Sequence, residues 1–154
     1  MTAQGIVILP GEGTVQSFTP WRAIVTKLRC ADTADSMMVF EETVPTGTKS
    51  TFHLHHDSDE IAYVLAGEVT IKIGDRVSVG GPGTCAFMPR SVPHAWKVTG
   101  TETGRILFLY TPGAAGGFFE ESQREQRSYG RMAPHEVAAV FRRYGTESVG
   151  PPPF

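Results

Sequence analysis

The sequence predicts an all-β fold, an antiparallel sandwich or barrel, followed by short C-terminal helices. Short β-type runs alternate with glycine, proline and aspartate residues through most of the chain, and no helical pattern separates them. A βαβ fold would need helices between its strands, so the pattern excludes that class. The run Val69–Ile73 alternates apolar and polar residues, as a strand with one solvent-exposed face does.

Each predicted strand is a run of β-forming residues bounded by turn-forming residues. The chain shows no internal repeat, so these strands predict a single barrel. In chain order the nine runs are Ala23–Cys30, Met37–Val44, Ser50–His55, Glu60–Ala66, Val69–Ile73, Arg76–Val79, Thr84–Met88, His94–Val98 and Arg105–Tyr110.

The C-terminal part of the sequence has helical patterns instead. Phe118–Arg127 contains helix formers and drifts from acidic to basic, which complements the helix dipole. Ala133–Tyr144 predicts a second helix, whose apolar stripe would dock on the barrel. The proline-rich end, 150–154, is either an extended arm that packs on a neighbouring subunit or a loose tail. We therefore expect a barrel over 1–113, including N-terminal strands, and a helical segment with a proline-rich tail packed on it over 114–154.

Composition limits the classes of function. The chain has 154 residues, 19% of them charged, and a formal net charge of -2. Such a balance would not attract nucleic acid or an anionic membrane. The N-terminus has no signal-peptide pattern and no apolar run is long enough to cross a bilayer, so a cytoplasmic protein is expected. Cys30 and Cys85 form no CxxC pair and are expected to be reduced interior thiols.

A cluster of histidine and acidic residues predicts a metal site. His53 and His55 are two residues apart on a predicted strand, so their rings share one face. Glu60 opens the next strand, and His94 comes from a more distant one. Three imidazoles and one carboxylate suit a divalent first-row transition metal, although a histidine-rich run can also be only a solvated turn. His56 is out of phase with the shared face and is predicted to be a bystander.

The spacing of these residues resembles the first motif of the cupin family. That motif is a glycine, five residues, HxH, three or four residues, a glutamate, six residues and a glycine. Gly47, His53, His55, Glu60 and Gly67 fill every fixed position here.

The second cupin motif is matched less completely. It reads glycine, five residues, P-x-G, two residues, histidine, three residues and asparagine. Gly83, Pro89 and His94 fit, whereas Ser91 replaces the second glycine and Val98 replaces the asparagine. Neither replaced residue is a metal ligand in the family pattern, so the ligand assignment is unaffected.

The resemblance implies a fold and a cofactor. The fold would be a single cupin barrel, a double-stranded β-helix or jelly roll, with the metal motifs over 47–98. The cofactor would be one divalent transition metal per chain, drawn from iron, manganese, nickel, cobalt, copper and zinc.

The chain also resembles the small quercetin 2,3-dioxygenase-like cupins. The similar features are the run Thr111-Pro112-Gly113, the Phe-Phe-Glu-Glu segment after it and the Gly-Pro-Pro ending. The resemblance implies a metal-dependent dioxygenase, an oxidoreductase that acts on an aromatic or enolic small molecule. Two alternatives stay open, a non-redox isomerase or cyclase and a non-catalytic small-molecule binder.

Strand phase also predicts the pocket wall and the base. Glu60 could release the metal and act as a general base on a bound hydroxyl. The side chains that share strand faces with the ligands should form a mostly apolar cavity. Trp96 either stacks on a substrate or packs in the core. The predicted pocket residues are Ala62, Val64, Trp96 and Val98.

A homodimer is the expected assembly. An open cupin sheet has edges that need to be covered, and the N-terminal residues exceed what one small barrel needs.

Overall fold

The computed structural model describes residues 4–19, 22–124 and 132–154. In these residues the chain forms two antiparallel sheets that pack against each other, with two short α-helices near the C-terminus. This arrangement confirms the predicted single all-β barrel with short C-terminal helices. The strands are β1 Thr14–Thr19, β2 Arg22–Leu28, β3 Met38–Val44, β4 Phe52–His55, β5 Asp59–Ala66, β6 Val69–Ile73, β7 Arg76–Gly80, β8 Cys85–Met88, β9 His94–Val98, β10 Gly104–Thr111 and β11 Thr146–Gly150.

The two sheets enclose the hydrophobic core. The six-stranded sheet has the order β1-β2-β3-β10-β5-β8, and the five-stranded sheet has the order β11-β4-β9-β6-β7. Strict alternation along β3 buries Met38, Phe40 and Val44. Phe40 stacks on Phe108 of the neighbouring β10, with ring centroids 5.2 Å apart. Period-two patterning therefore assigns one face of each strand to the core.

The nine predicted runs are strands, and their observed ends lie within two residues of the predicted ones. β1 and β11 were not predicted. The sequence of β11, TESVG, lacks the apolar alternation that marks a strand, and only Thr146 in it is fully buried. It is an edge strand that pairs with β4, where Thr146 lies opposite His55.

Two helices follow the barrel. α1 spans Gly117–Arg124 and α2 spans Pro134–Arg143. The predicted extension of the first helix to Arg127 falls outside the described residues. Gly145 ends α2 with a φ of 70°, a left-handed conformation that glycine adopts without strain. Short 3-10 turns precede β3 and α1, at Cys30–Thr33 and Gly113–Gly116.

The motif glycines are explained by backbone conformation. Gly47, Gly67 and Gly83 all have φ between 77° and 92°. At Gly67 an added Cβ would also lie 2.9 Å from the Cα of Gly104, too close for any side chain. Ser91, which replaces a motif glycine, keeps the same left-handed region with a φ of 64°. The turn before His94 therefore persists, at the usual steric cost for a non-glycine residue.

The cysteines are free, but their surroundings differ. Burial and the nearby carboxylate of Glu120 raise the pKa of Cys30 to about 12. Cys85 is exposed on the edge strand β8, so the prediction of an interior position was wrong for that residue. Its side chain points away from the core because the neighbouring Ala86 takes the inward position.

None of the helices in the described part of the chain combines the length and apolar character that crossing a membrane takes.

Candidate metal centre

Both sheets contribute to the predicted ligand cluster. His53 and His55 lie on β4, and His94 lies directly opposite His53 on the neighbouring β9. Glu60 lies on β5 in the other sheet. The cluster therefore bridges the space between the sheets, and all four side chains are buried.

The four side chains are close enough to share one ion. One ligand atom from each of them lies within 4.8 Å of the others. Oε2 of Glu60 is 2.9 Å from Nε2 of His55 and 3.0 Å from Nε2 of His94. Donors held at right angles about 2.1 Å from a metal lie about 3 Å from each other. The spacing matches a metal centre without a change of strand register.

Backbone hydrogen bonds orient two of the imidazoles. Nδ1–H of His53 donates to the carbonyl of Thr51, and Nδ1–H of His94 donates to the carbonyl of Val92, both at 2.9 Å. A carbonyl can only accept, so the hydrogen is fixed on Nδ1 in both rings. The Nε2 lone pairs are thereby left to face the cluster, as metal-binding histidines require.

His55 is oriented by a side chain instead. Its Nδ1 lies 2.9 Å from Oγ1 of Thr146, and both residues are buried. Thr146 belongs to β11, far from the ligands in sequence. The C-terminal strand therefore contributes to the orientation of a predicted ligand.

The electrostatics also fit a cation. Burial lowers the pKa of His53 to about 4, so this imidazole is neutral at physiological pH and its lone pair is available. Burial alone would raise the pKa of Glu60, but hydrogen bonds with His55 and His94 outweigh it and hold that pKa well below its usual range. Glu60 in turn raises the pKa of His94 against the opposing effect of burial.

The contact between Nε2 of His94 and Oε2 of Glu60 needs a positive charge. With Nδ1 already donating to a carbonyl, a neutral His94 would turn a lone pair toward a carboxylate. Either a proton on Nε2 or a metal ion between the two atoms removes the repulsion. The buried residues His53, His55, Glu60 and His94 could therefore hold a metal ion.

A cavity of about 250 Å³ adjoins the cluster. His53, His55 and Glu60 line it, whereas His94 is completely buried behind them. Four further lining residues come from the two C-terminal helices, which cover the cavity. Among the described residues, seven aromatic side chains contribute to the wall, namely Phe40, Trp96, Phe108, Tyr110, Phe118, Phe119 and Phe141.

Tyr110 is an aromatic residue of the cavity wall that contacts one of the ligands. Its ring meets the ring of His55 edge-on, with centroids 4.9 Å apart, and it lies opposite Glu60 across β10 and β5. Burial and the charges of Glu60 and Glu42 raise the pKa of Tyr110 well above its usual value. The phenol therefore keeps its proton and can serve as a hydrogen-bond donor in the cavity.

The other predicted site residues are divided between cavity, core and surface. Trp96 lines the cavity. Within the described residues, Ala62, Val64 and Val98 belong to the buried core and do not line this cavity. His56, the predicted bystander, is 52% exposed and contacts Glu147 instead of the cluster.

Several cavity residues were missed by sequence reasoning. A usable signal existed for Glu42, because a carboxylate interrupts the inward apolar positions of β3. Tyr110 and Thr146 carry no comparable signal, since each reaches the cavity only through the pairing of strands that are distant in sequence, and Arg22 on β2 was also missed.

Comparisons with known proteins agree with this fold and cluster. Residues 40–110 match the Cupin_2 family, described as a cupin domain. Among curated proteins, the uncharacterized protein MJ1618 from Methanocaldococcus jannaschii is 29% identical over 72 residues, which is 47% of this chain. The match spans 58% of that relative's length.

Solved structures with a similar fold come from several different kinds of protein. KdgF from Halomonas sp. has a TM-score of 0.62 at 18% identity, covering 71% of this chain and 94% of that chain. A predicted oxalate decarboxylase from Thermotoga maritima has a TM-score of 0.63 at 18% identity, with 69% and 98% covered. The polyketide cyclase RemF from Streptomyces resistomycificus has a TM-score of 0.58 at 21% identity, with 71% and 80% covered.

At these identities the structural likeness speaks for the fold alone. The match of the sequence to the family covers the ligands as well, since all four lie within residues 40–110. Residues 40–110, which include all four ligands, are therefore a cupin domain of the Cupin_2 type.

Proposed function

We propose that this protein binds one divalent transition metal through His53, His55, Glu60 and His94, and that it is a dioxygenase acting on an aromatic or enolic small molecule. The observation that carries the proposal is the position of the ligand cluster at the wall of an aromatic cavity. A purely structural metal site would be closed by its ligands and would need no adjoining cavity.

The cavity suits a small planar ligand. Its volume of about 250 Å³ lies near the lower end of small-molecule sites. Flat rings pack favourably against aromatic walls in offset or edge-on arrangements. Together with the buried ligands, these walls would keep bulk water from the reacting atoms.

The chain's own groups supply the remaining chemistry. When bound, a redox-active divalent ion would provide Lewis acidity and electron exchange with dioxygen. Glu60 is ionised at neutral pH because its pKa is held low, so it can accept a proton once its contacts with His55 and His94 loosen. Tyr110 can donate a hydrogen bond to a substrate oxygen.

A non-redox isomerase or cyclase is the second candidate. The same cavity holds a carboxylate, a protonated phenol and an ion pair, which are groups for moving protons without dioxygen. RemF, a polyketide cyclase, has a similar fold, which supports cyclisation as the alternative reaction. A non-catalytic binder would use the cavity alone.

Oxygen uptake separates these functions. Protein loaded in turn with iron, manganese, nickel, cobalt, copper or zinc would be assayed in an oxygen electrode with flavonols and enolic diketones. We expect uptake only with a redox-active ion and not with zinc. Turnover of a substrate under strict anaerobiosis would replace the dioxygenase with the isomerase or cyclase. Tight binding without turnover of any kind would favour the binder.

Thr146→Val is expected to weaken metal affinity by roughly tenfold to a hundredfold, because His55 loses the partner that orients its ring. Competition with a chromogenic chelator would measure the affinity. Thr146→Ser keeps the hydroxyl and should restore most of it, while Ser148→Ala, at an exposed position of the same strand, should change nothing. Equal affinities of the valine and serine variants would refute an orienting role for the hydroxyl.

We also propose a homodimer built through the outer face of the six-stranded sheet. Phe87 on the edge strand β8 is 56% exposed, and Tyr63 on the neighbouring β5 is 41% exposed. Large apolar side chains on an edge strand favour association with a second copy. Sedimentation should give twice the 16.7 kDa of one chain at micromolar concentration.

A charged substitution locates the dimer face. Phe87→Glu should produce monomers, whereas Val79→Glu, on the exposed strand β7 of the other sheet, should leave the dimer intact. A wild-type protein that sediments only as a monomer would disprove the proposed assembly.

A further inference from the structure

The aromatic cavity contains an ion pair between Arg22 and Glu42. Neither residue is a predicted metal ligand or part of a cupin motif. Nε of Arg22 donates to Oε2 of Glu42 at 3.2 Å, and Nη2 donates to Oε1 at 2.9 Å. The side chain of Glu42 is 3% exposed and that of Arg22 is 29% exposed. Both residues line the cavity beside the metal cluster.

A second pair on the same sheet provides an internal comparison. Arg105 donates from Nε and Nη2 to a single oxygen, Oε1 of Glu41, at 2.9 and 2.7 Å, whereas Arg22 donates to both oxygens of Glu42. Glu41 and Glu42 are adjacent on β3, so their side chains point to opposite faces of the sheet. The Arg105 side chain is 50% exposed, and this outer pair stays in contact with water.

Stability does not account for the inner pair. Moving an ion pair out of water costs about as much as the attraction returns, and apolar residues of similar size often stabilise such a position more. The remaining inward positions of β3 are apolar, as at Phe40 and Val44. A guanidinium retained in an aromatic wall is therefore better explained by recognition of a ligand.

The chemistry of the pair indicates which ligand. We infer that Arg22 binds an anionic oxygen of the substrate, with Glu42 positioning the guanidinium, so that the substrate is an aromatic acid or a comparable aromatic oxyanion. This inference rests on the proposed function, since it specifies the substrate class of the same cavity. Arginine carries five N–H donors, of which Glu42 accepts from two, and the Cζ atom lies 5.8 Å from the centroid of the Trp96 ring.

The charge of the cavity favours the same class of ligand. Two cations, Arg22 and Lys49, line it together with two carboxylates, Glu42 and Glu60. The protein charges therefore balance, and a divalent ion on the cluster would leave an excess of positive charge. An anionic aromatic ligand would reduce that excess inside a poorly hydrated space.

Two matched ligands test this assignment. Calorimetric titrations would compare 2-naphthoate with its neutral amide, 2-naphthamide, on wild-type protein and on Arg22→Gln, each with zinc and after chelation. We expect naphthoate to bind wild-type protein about tenfold to a hundredfold more tightly than the amide, the size of a charge-assisted hydrogen bond. In Arg22→Gln the two ligands should bind about equally. Arg105→Gln removes the matched outer pair and should keep the preference.

These titrations distinguish a failure of the role of Arg22 from a failure of the proposed metal site. A preference that persists after chelation and disappears in Arg22→Gln supports the role of Arg22, even if no metal binds. A preference that disappears with the metal, or with Lys49→Gln but not with Arg22→Gln, overturns that role while leaving the metal site intact. Failure of both ligands to bind also overturns it.

Circular dichroism would first establish that each variant is folded. If Arg22→Gln alone does not fold, the double variant Arg22→Gln with Glu42→Gln replaces the ion pair with two neutral amides and leaves no unpaired buried charge. It should show the same loss of preference. A double variant that still prefers naphthoate would contradict the assignment.

Discussion

Replacing His53 and His55 together with alanine is expected to reduce bound metal from one ion per chain to a small residual fraction. The pair supplies two of the four donors, both from β4, and the remaining Glu60 and His94 form only half a site. A divalent ion in a buried position depends on its full set of donors, because it has given up its own hydration shell. Metal analysis of the purified protein after dialysis would measure the ratio of metal to protein.

The matched control for this double variant is His56→Ala. His56 is the next residue on the chain, but it is exposed and contacts Glu147 on β11. Its removal should leave the metal content unchanged. Wild-type stoichiometry in the His53 and His55 double variant would show that the cluster is not the metal site, whatever its compactness.

The ligands could be predicted from sequence because their geometry is mostly local. His53 and His55 share a face through strand periodicity alone, and Glu60 lies near the start of the next strand, which belongs to the opposite sheet. Only His94 needed a long-range pairing, and the second motif supplied it. Here the backbone explains the motif, since its glycines and Ser91 occupy left-handed turns that fix where each ligand strand begins.

The pocket wall could not be predicted in the same way. Ala62 and Val64 do share a strand face with Glu60, but they lie further along β5, within the buried core. Strand phase gives the face of the sheet and not the end of the barrel at which the cavity opens. The C-terminal segment forms part of the wall at that end, through residues such as Phe118 and Phe141.

The C-terminal strand illustrates a second limit. β11 is short, mostly exposed and polar, so its sequence carries no strand signal, and it becomes a strand only by pairing with β4. Tertiary context overrides weak local preference at such edges. This pairing also affects the candidate site, because it places Thr146 within hydrogen-bonding distance of His55.

Replacing Glu60 with glutamine is expected to lower turnover by roughly a hundredfold or more, the usual size of a general-base contribution. The amide keeps an oxygen that can face a metal, but it has neither the negative charge nor the ability to take a proton. Glu60 is buried among the histidines and lies within hydrogen-bonding distance of two of them. Steady-state rates on the substrate that shows oxygen uptake would be compared at equal metal content.

Metal content decides how this result is interpreted. If Glu60→Gln retains metal but loses turnover, the carboxylate acts beyond holding the ion, as proton abstraction requires. Glu68→Gln, at an exposed position between β5 and β6, should leave both quantities unchanged. Full activity in a Glu60→Gln protein that retains its metal would rule out Glu60 as the base. The proton would then have to leave through another group of the cavity, of which Glu42 is the buried carboxylate on β3.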